Sequence, residues 1–180
     1  MKDAAEMYIP TFQDMLDAHE RIKPYIHRTP VLTSSYFNEL TGAELFFKCE
    51  NFQKAGAFKV RGASNAVFGL SDEDAAKGVC THSSGNHALS LSYAAGRRGI
   101  PCNVVMPRTA PEAKKAAVRG YGGTIPECEP STTSREEVED LFKQMAAESP
   151  VSLGARANIR LAFHVARVIH GVAEPPAPLP

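Results

Sequence analysis

Apolar positions along residues 78–129 follow two alternating patterns. Short, nearly continuous apolar runs occur at GVCTH (78–82), PCNVVMP (101–107) and GGTIPECE (122–129), bounded by glycine or proline and short enough for strands. Between them the period lengthens. NHALSLSYAAGRRG (86–99) predicts a helix closed by glycine, and PEAKKAAVRG (111–120) predicts one with proline near its first position and a glycine stop. TTSREEVEDLFKQMAAE then opens with a capping box, Thr133 or Ser134 with a glutamate three residues on, and reads as an amphipathic helix. Strand alternating with helix at this spacing predicts an α/β fold, an open parallel sheet with right-handed crossovers and helices on both faces.

The first seventy residues are less regular. Thr11 can cap a surface helix, FQDMLDAHERIKPYI, in which Phe12, Leu16, His19 and Ile22 or Lys23 keep roughly helical spacing until Pro24 interrupts. YFNEL predicts a short helix closed by Gly42, and ELFFKCE a strand. Residues 59–70 read as a helix with Val60, Ala63, Val67 and Leu70 on one side. At the far end, VSLGARANIRLAFHVARVIHGVAEPPAPLP offers one basic amphipathic helix over 156–170 and then a proline-rich stretch that suits neither strand nor helix.

Composition narrows the function classes. With 43% apolar and 22% charged residues and no run of eighteen apolar residues, the 180-residue chain reads as soluble and globular, without a membrane span. MKDAAEMYIPTFQDM lacks a basic segment followed by an apolar block and carries acids, so the chain is expected to be cytoplasmic. Twenty basic against twenty acidic residues leave no general field for nucleic acid or anionic lipid, which favours a small-molecule partner. Cys49, Cys80, Cys102 and Cys128 form no C-x-x-C pair and read as buried free thiols, the first three in strands. His82 and His87 have no cysteine partner at short range, so no metal site is predicted.

Two segments carry candidate chemistry. THSSGNH (81–87) lies where a strand passes into a helix, the place at which parallel sheets gather ligands. Two hydroxyls, a glycine and an amide there suit a carboxylate or phosphate; a capped turn uses the same residues for structural reasons. KAGAFKVRGA (54–63) sets Lys59 between Phe58 and Val60, after small residues. A lysine so placed loses hydration of its ammonium form and becomes a usable amine nucleophile for Schiff-base chemistry, although a lysine at a helix start is commonly just solvated.

GAFKVRGASNA, THSSGNHALSLSYAA, VVMPRTAPEAKKAAVRGYGGTI and CEPSTTSREE together resemble the serine racemase and serine/threonine dehydratase family of fold-type II pyridoxal phosphate enzymes, from about residue 10 to about 148. The resemblance implies pyridoxal phosphate as cofactor and small amino acids such as serine and threonine as substrates, in a homodimer. It implies racemisation and ammonia-lyase chemistry through an external aldimine, with Lys59 and Ser84 as the acid/base pair moving the α proton. Lys59 would hold the cofactor, Phe58 would pack beside it, and Asn86 would hydrogen-bond its phenolic oxygen. Ser83, Ser84, Asn86 and His87 would grip the substrate carboxylate, and Arg135 would approach the substrate on domain closure. Threonine dehydratases that only eliminate usually carry alanine where Ser84 stands, so its hydroxyl points to two-faced chemistry.

Eukaryotic members also bind ATP, through a set matching Ser34, Ser35, Tyr36, Lys54 and Tyr121. Here Ala55 replaces a threonine and Leu89 a glutamine, each losing a hydrogen-bonding group. The phosphate-wrapping glycine loop and the carboxylates that hold Mg2+ belong to a part of the family pattern with no counterpart in these residues. The resemblance divides the chain into 1–75, the first segment of a large cofactor domain; 76–148, a small α/β domain; and 149–180, a divergent tail. A truncated, non-catalytic fragment or isoform that pairs with a full-length subunit is the alternative expectation.

Overall fold

The computed structural model describes residues 10–129. The capping-box helix expected at 133, Arg135, the boundary at 148/149 and the whole tail lie outside the described residues.

Helix α1 spans Phe12–Ile22 and begins as its sequence dictates: Thr11 Oγ1 accepts from the Asp14 amide, and Asp14 accepts back from the Thr11 amide at 2.6 Å. Its buried side holds Ala18 and Ile22, whereas Phe12, placed on the apolar stripe by spacing alone, is exposed. Strand β1 (Val31–Leu32) leads to α2 (Ser35–Thr41), which Ser34 caps and Gly42 ends in the left-handed conformation at φ 68°. The strand read into ELFFKCE shortens to β2 (Phe47–Lys48), antiparallel to β1. This two-stranded ribbon does not join the main sheet, and Leu32, Tyr36, Phe37, Leu40, Phe46 and Phe47 are exposed on it and on α2. Cys49 follows the ribbon and is half-buried, outside any strand, and Cys128 is also half-buried; only Cys80 and Cys102 are buried thiols.

Two 3-10 turns, Glu50–Phe52 and Lys54–Gly56, connect to α3 (Lys59–Phe68). A short helix α4 (Asp72–Ala76), capped by Ser71, precedes the regular part. Strand β3 (Val79–His82), helix α5 (Asn86–Arg98), strand β4 (Cys102–Pro107), helix α6 (Glu112–Gly120) and strand β5 (Glu127–Cys128) follow in order. The three strands form a parallel sheet ordered β3-β4-β5, with Val79 opposite Cys102 and Met106 opposite Glu127. Residues 122–129 run beside β4, but Pro126 has no amide proton to give, so regular pairing is confined to the last two residues and a bridge at Thr124.

Val79, Leu91, Val104, Met106 and Val118 make the core with no exposed surface, joined by Ala63 and Val67 of α3. Each such valine or leucine contributes roughly 1.5–3 kcal/mol relative to an exposed position. Helices α3 and α5 lie against each other. Arg98, at the end of α5, fastens the same region by donating to the Val67 carbonyl and pairing with Asp72 at 3.0 Å. Glycine at position 96 lets the Tyr121 carbonyl come against α5, where a Cβ would collide with it. Among the described residues, no helix is long and apolar enough to cross a membrane.

Candidate active site

The β3–α5 junction stands at the carboxyl end of the first parallel strand, as the sequence predicts. Ser83 continues the pairing by donating its amide to the Val105 carbonyl at 3.1 Å, and its hydroxyl accepts from the Gly85 amide at 3.2 Å. Gly85 is the N-cap of α5 and provides no capping side chain, so the first turn of this thirteen-residue helix is left to bind an anion. Ser84 and Asn86 are exposed at this start, Ser83 is half-buried, and His87 is buried. Leu89, one turn on, packs against the core.

Lys59 opens α3, and α3 packs on α5, so the two segments singled out by sequence sit on neighbouring elements. The amine is half-buried, and that burial holds its pKa below the ordinary 10.5. No carboxylate among the described residues pairs with it; its contact is the Phe58 ring, whose centroid lies 5.6 Å from Nζ. A lysine depressed by desolvation and left without a counter-ion is suited to nucleophilic amine chemistry.

Sequence reasoning missed the neighbours of Lys59. Arg61 has no exposed surface and donates from Nε and Nη2 to both oxygens of Glu50, at 2.8 and 2.7 Å. Thr29 donates its hydroxyl to Glu50 at 2.6 Å, and Lys48 donates to the Thr29 carbonyl at 2.7 Å. Burial alone would raise the Glu50 carboxyl, but the Arg61 and Thr29 hydrogen bonds and the nearby positive charges outweigh it and hold the pKa below the ordinary value. An arginine set among the apolar positions of α3 was the signal available.

The remaining candidates are spread over several elements. Ser34 is spent as the α2 cap, accepting from the Phe37 amide at 3.4 Å; Ser35 starts α2, and Tyr36 is exposed. Lys54 lies in a turn that packs on α5, and Tyr121 ends α6 with its ring edge-on to Tyr93 at 5.6 Å. No hydrogen bond or ring contact links Ser34, Ser35 or Tyr36 to Lys54 or Tyr121 among the described residues.

A family profile described as pyridoxal-phosphate dependent enzyme matches residues 22–162. The chain belongs to that family. Members similar to it include a β-hydroxyaspartate dehydratase of Paracoccus denitrificans, 74% identical over 143 residues that make up 79% of this chain and 44% of the relative. A serine racemase of Dictyostelium discoideum is 55% identical over 126 residues, 70% of this chain and 39% of that protein. The crystal structure of serine racemase from Dictyostelium discoideum superposes with a TM-score of 0.81 and 44% identity, covering 88% of this chain and 52% of that one. The chain therefore spans about half or less of the length of the relatives it matches, and its fold is that of the fold-type II pyridoxal phosphate enzymes.

The residues present fit the family cofactor. An aldehyde needs an amine that is easily deprotonated and not tied to a carboxylate, which among the described residues describes Lys59. The uncapped helix amides with small residues before them at 83–86 fit a carboxylate in addition to the cofactor aldehyde.

Proposed function

We propose that this protein is a pyridoxal phosphate-dependent racemase and ammonia-lyase of β-hydroxy amino acids, with 3-hydroxyaspartate, serine and threonine as its substrate class. The observation that carries the proposal is the half-buried Lys59 amine, without a counter-ion among the described residues, on a helix packed against the one that the SSGNH segment begins. The 74% identity to the Paracoccus protein favours 3-hydroxyaspartate within that class.

In this reading Lys59 holds the cofactor and Phe58 flanks it, while Asn86 donates to it. Bound there, the cofactor supplies an electron sink for negative charge at the substrate α carbon. Ser83, Ser84, Asn86 and His87 bind the substrate carboxylate at the start of α5, and Arg135 adds a contact from outside the described residues. Lys59 Nζ removes the α proton and Ser84 Oγ supplies one, so that two groups serve the two sides of a planar carbon. Departure of the β-hydroxyl as water, with the proton that Lys59 Nζ removed, takes the place of reprotonation, and addition of one water to the resulting enamine gives a keto acid and ammonia. Division into a cofactor-domain segment (1–75), a small domain (76–148) and a tail (149–180), with a homodimeric assembly in the cytoplasm, belongs to the same proposal. ATP does not, because Ala55 and Leu89 lack the hydrogen-bonding groups the nucleotide set uses and Ser34 is engaged as a cap.

The test is borohydride reduction after adding pyridoxal phosphate to the full chain, with peptide mass spectrometry and a Lys59→Ala control. A pyridoxyl adduct on Lys59, keto-acid release from 3-hydroxyaspartate, and loss of racemisation with retained elimination in Ser84→Ala are the expected results. A folded chain that gives no adduct at Lys59 overturns the proposal and favours the non-catalytic alternative.

A further inference from the structure

Lys59 stands at a helix start that local structure holds weakly. Phe58 occupies the N-cap and contributes no side-chain cap, and the turn before it contains Ala55 at φ 54° and Gly56 at φ 67°. The first turn of α3 is of the tighter type, with Val60 N–H donating to the Ala57 carbonyl at 3.4 Å and Arg61 N–H to the Phe58 carbonyl at 3.0 Å. Something beyond capping must fix where the amine lies.

The Arg61–Glu50 pair has the required geometry. Glu50 opens the first 3-10 turn and Arg61 follows Lys59 by two residues, so the pair closes a loop that contains both turns, Phe58 and Lys59. Two parallel N–H···O bonds to one carboxylate fix direction as well as distance, which one hydrogen bond cannot do. The middle of the loop is fastened separately. Gln53, only 4% exposed, accepts from the His27 amide and donates to the His27 carbonyl, each at 2.7 Å. Thr29 and Lys48 then brace Glu50 from the other side.

Building on the cofactor-lysine reading of Lys59, we propose that Arg61 and Glu50 are positioning residues that hold the Lys59 amine in its half-buried place. They act through backbone register and not through charge. The Lys59 amine is depressed by burial alone, whereas the Arg61 charge bears on Lys48 and His19. A buried ion pair is a costly way to add stability, and fixing register is the use for which such pairs are best attested.

Competitive acetylation of the full chain across a pH range, with each lysine followed by peptide mass spectrometry, tests this without cofactor. In Glu50→Gln, the labelling midpoint of Lys59 is expected to move up toward the ordinary 10.5 while that of Lys114, a half-buried lysine on α6, stays unchanged, with about a threefold lower Lys59 rate near pH 8 as the neutral fraction falls. Thr29→Val, which spares the ion pair and removes one bond to Glu50, is the milder variant and moves Lys59 less in the same direction. Arg61→Lys does not restore the wild-type profile, since one ammonium cannot hold both oxygens. An unchanged Lys59 midpoint in Thr29→Val and Glu50→Gln, with native circular dichroism, overturns the proposal, as does an equal change at Lys59 and Lys114. The labelling result is independent of adduct formation in the wild-type chain, which judges the proposed function instead.

Discussion

Tyr93 donates its phenolic hydrogen to the Tyr25 carbonyl at 2.7 Å, joining the middle of α5 to the segment just after α1. The Tyr25 ring in turn stacks on Phe68, the last residue of α3, with centroids 3.7 Å apart. Tyr93→Phe keeps the ring and removes the donor, so it is expected to lower unfolding free energy by about 1 kcal/mol in urea titrations. Burial raises the Tyr93 pKa above its ordinary 10.0, outweighing the Arg97 charge. A phenol raised on folding gives stability that is fully present below the unfolded value and is lost as pH rises through the folded one. The alkaline loss of stability is therefore expected to be smaller in Tyr93→Phe.

Glu50 predicts an acid-side dependence of the opposite sense. Its folded pKa lies below the ordinary 4.5, so its contribution is complete above that value and is lost as pH falls through the lower, folded one. Urea midpoints of the wild-type chain measured downward from about pH 7 should fall on the acid side, and Glu50→Gln should flatten that part of the curve while lowering the midpoint near neutrality.

Thiol reactivity should divide the cysteines into two pairs. Burial raises the Cys80 thiol and pushes Cys102 up to about 11, the latter against a weak contact from Ser92. Cys49 and Cys128 are half-buried. Native-state reaction with a thiol-disulfide reagent is expected to be fast at Cys49 and Cys128 and to await unfolding at Cys80 and Cys102. Fast modification of Cys102 in the native chain would contradict the packing described.

Two backbone positions predict changes of opposite sign. Gly96→Ala introduces a Cβ against the Tyr121 carbonyl and is expected to cost about 1–3 kcal/mol. Ala55→Gly relieves a left-handed alanine at φ 54° and is expected to gain about 1 kcal/mol, less the added flexibility of the unfolded chain. Thermal midpoints of the two variants beside wild type check both.

The parts of the fold legible in sequence were those with a local cause. Thr11 with Asp14, Gly42 after α2 and Gly99 after α5 mark their helix ends by capping chemistry, and α5 and β4 stand within one residue of the spans their patterns predict. The ribbon was only half legible: the apolar run ELFFKCE marked β2, though longer than the two residues that pair, whereas β1 is two exposed residues that neither alternation nor an apolar run separates from loop. Helix α4, DEDAA, has no apolar period and takes its identity from the Ser71 cap. Lys59 and the SSGNH segment were legible as chemistry because their unusual neighbours are adjacent in sequence. The Glu50, Thr29 and Arg61 cluster was not, because its members meet only after the 3-10 turns fold back, with partners up to 32 positions apart in the sequence.

The exposed aromatic and aliphatic side chains on α2 and the β1–β2 ribbon set a thermal property of the chain in solution. Association through such a surface is driven by release of water near room temperature and weakens on cooling. Samples of this chain should scatter less light in the cold than when warmed toward physiological temperature, and the change should reverse before any helix melts.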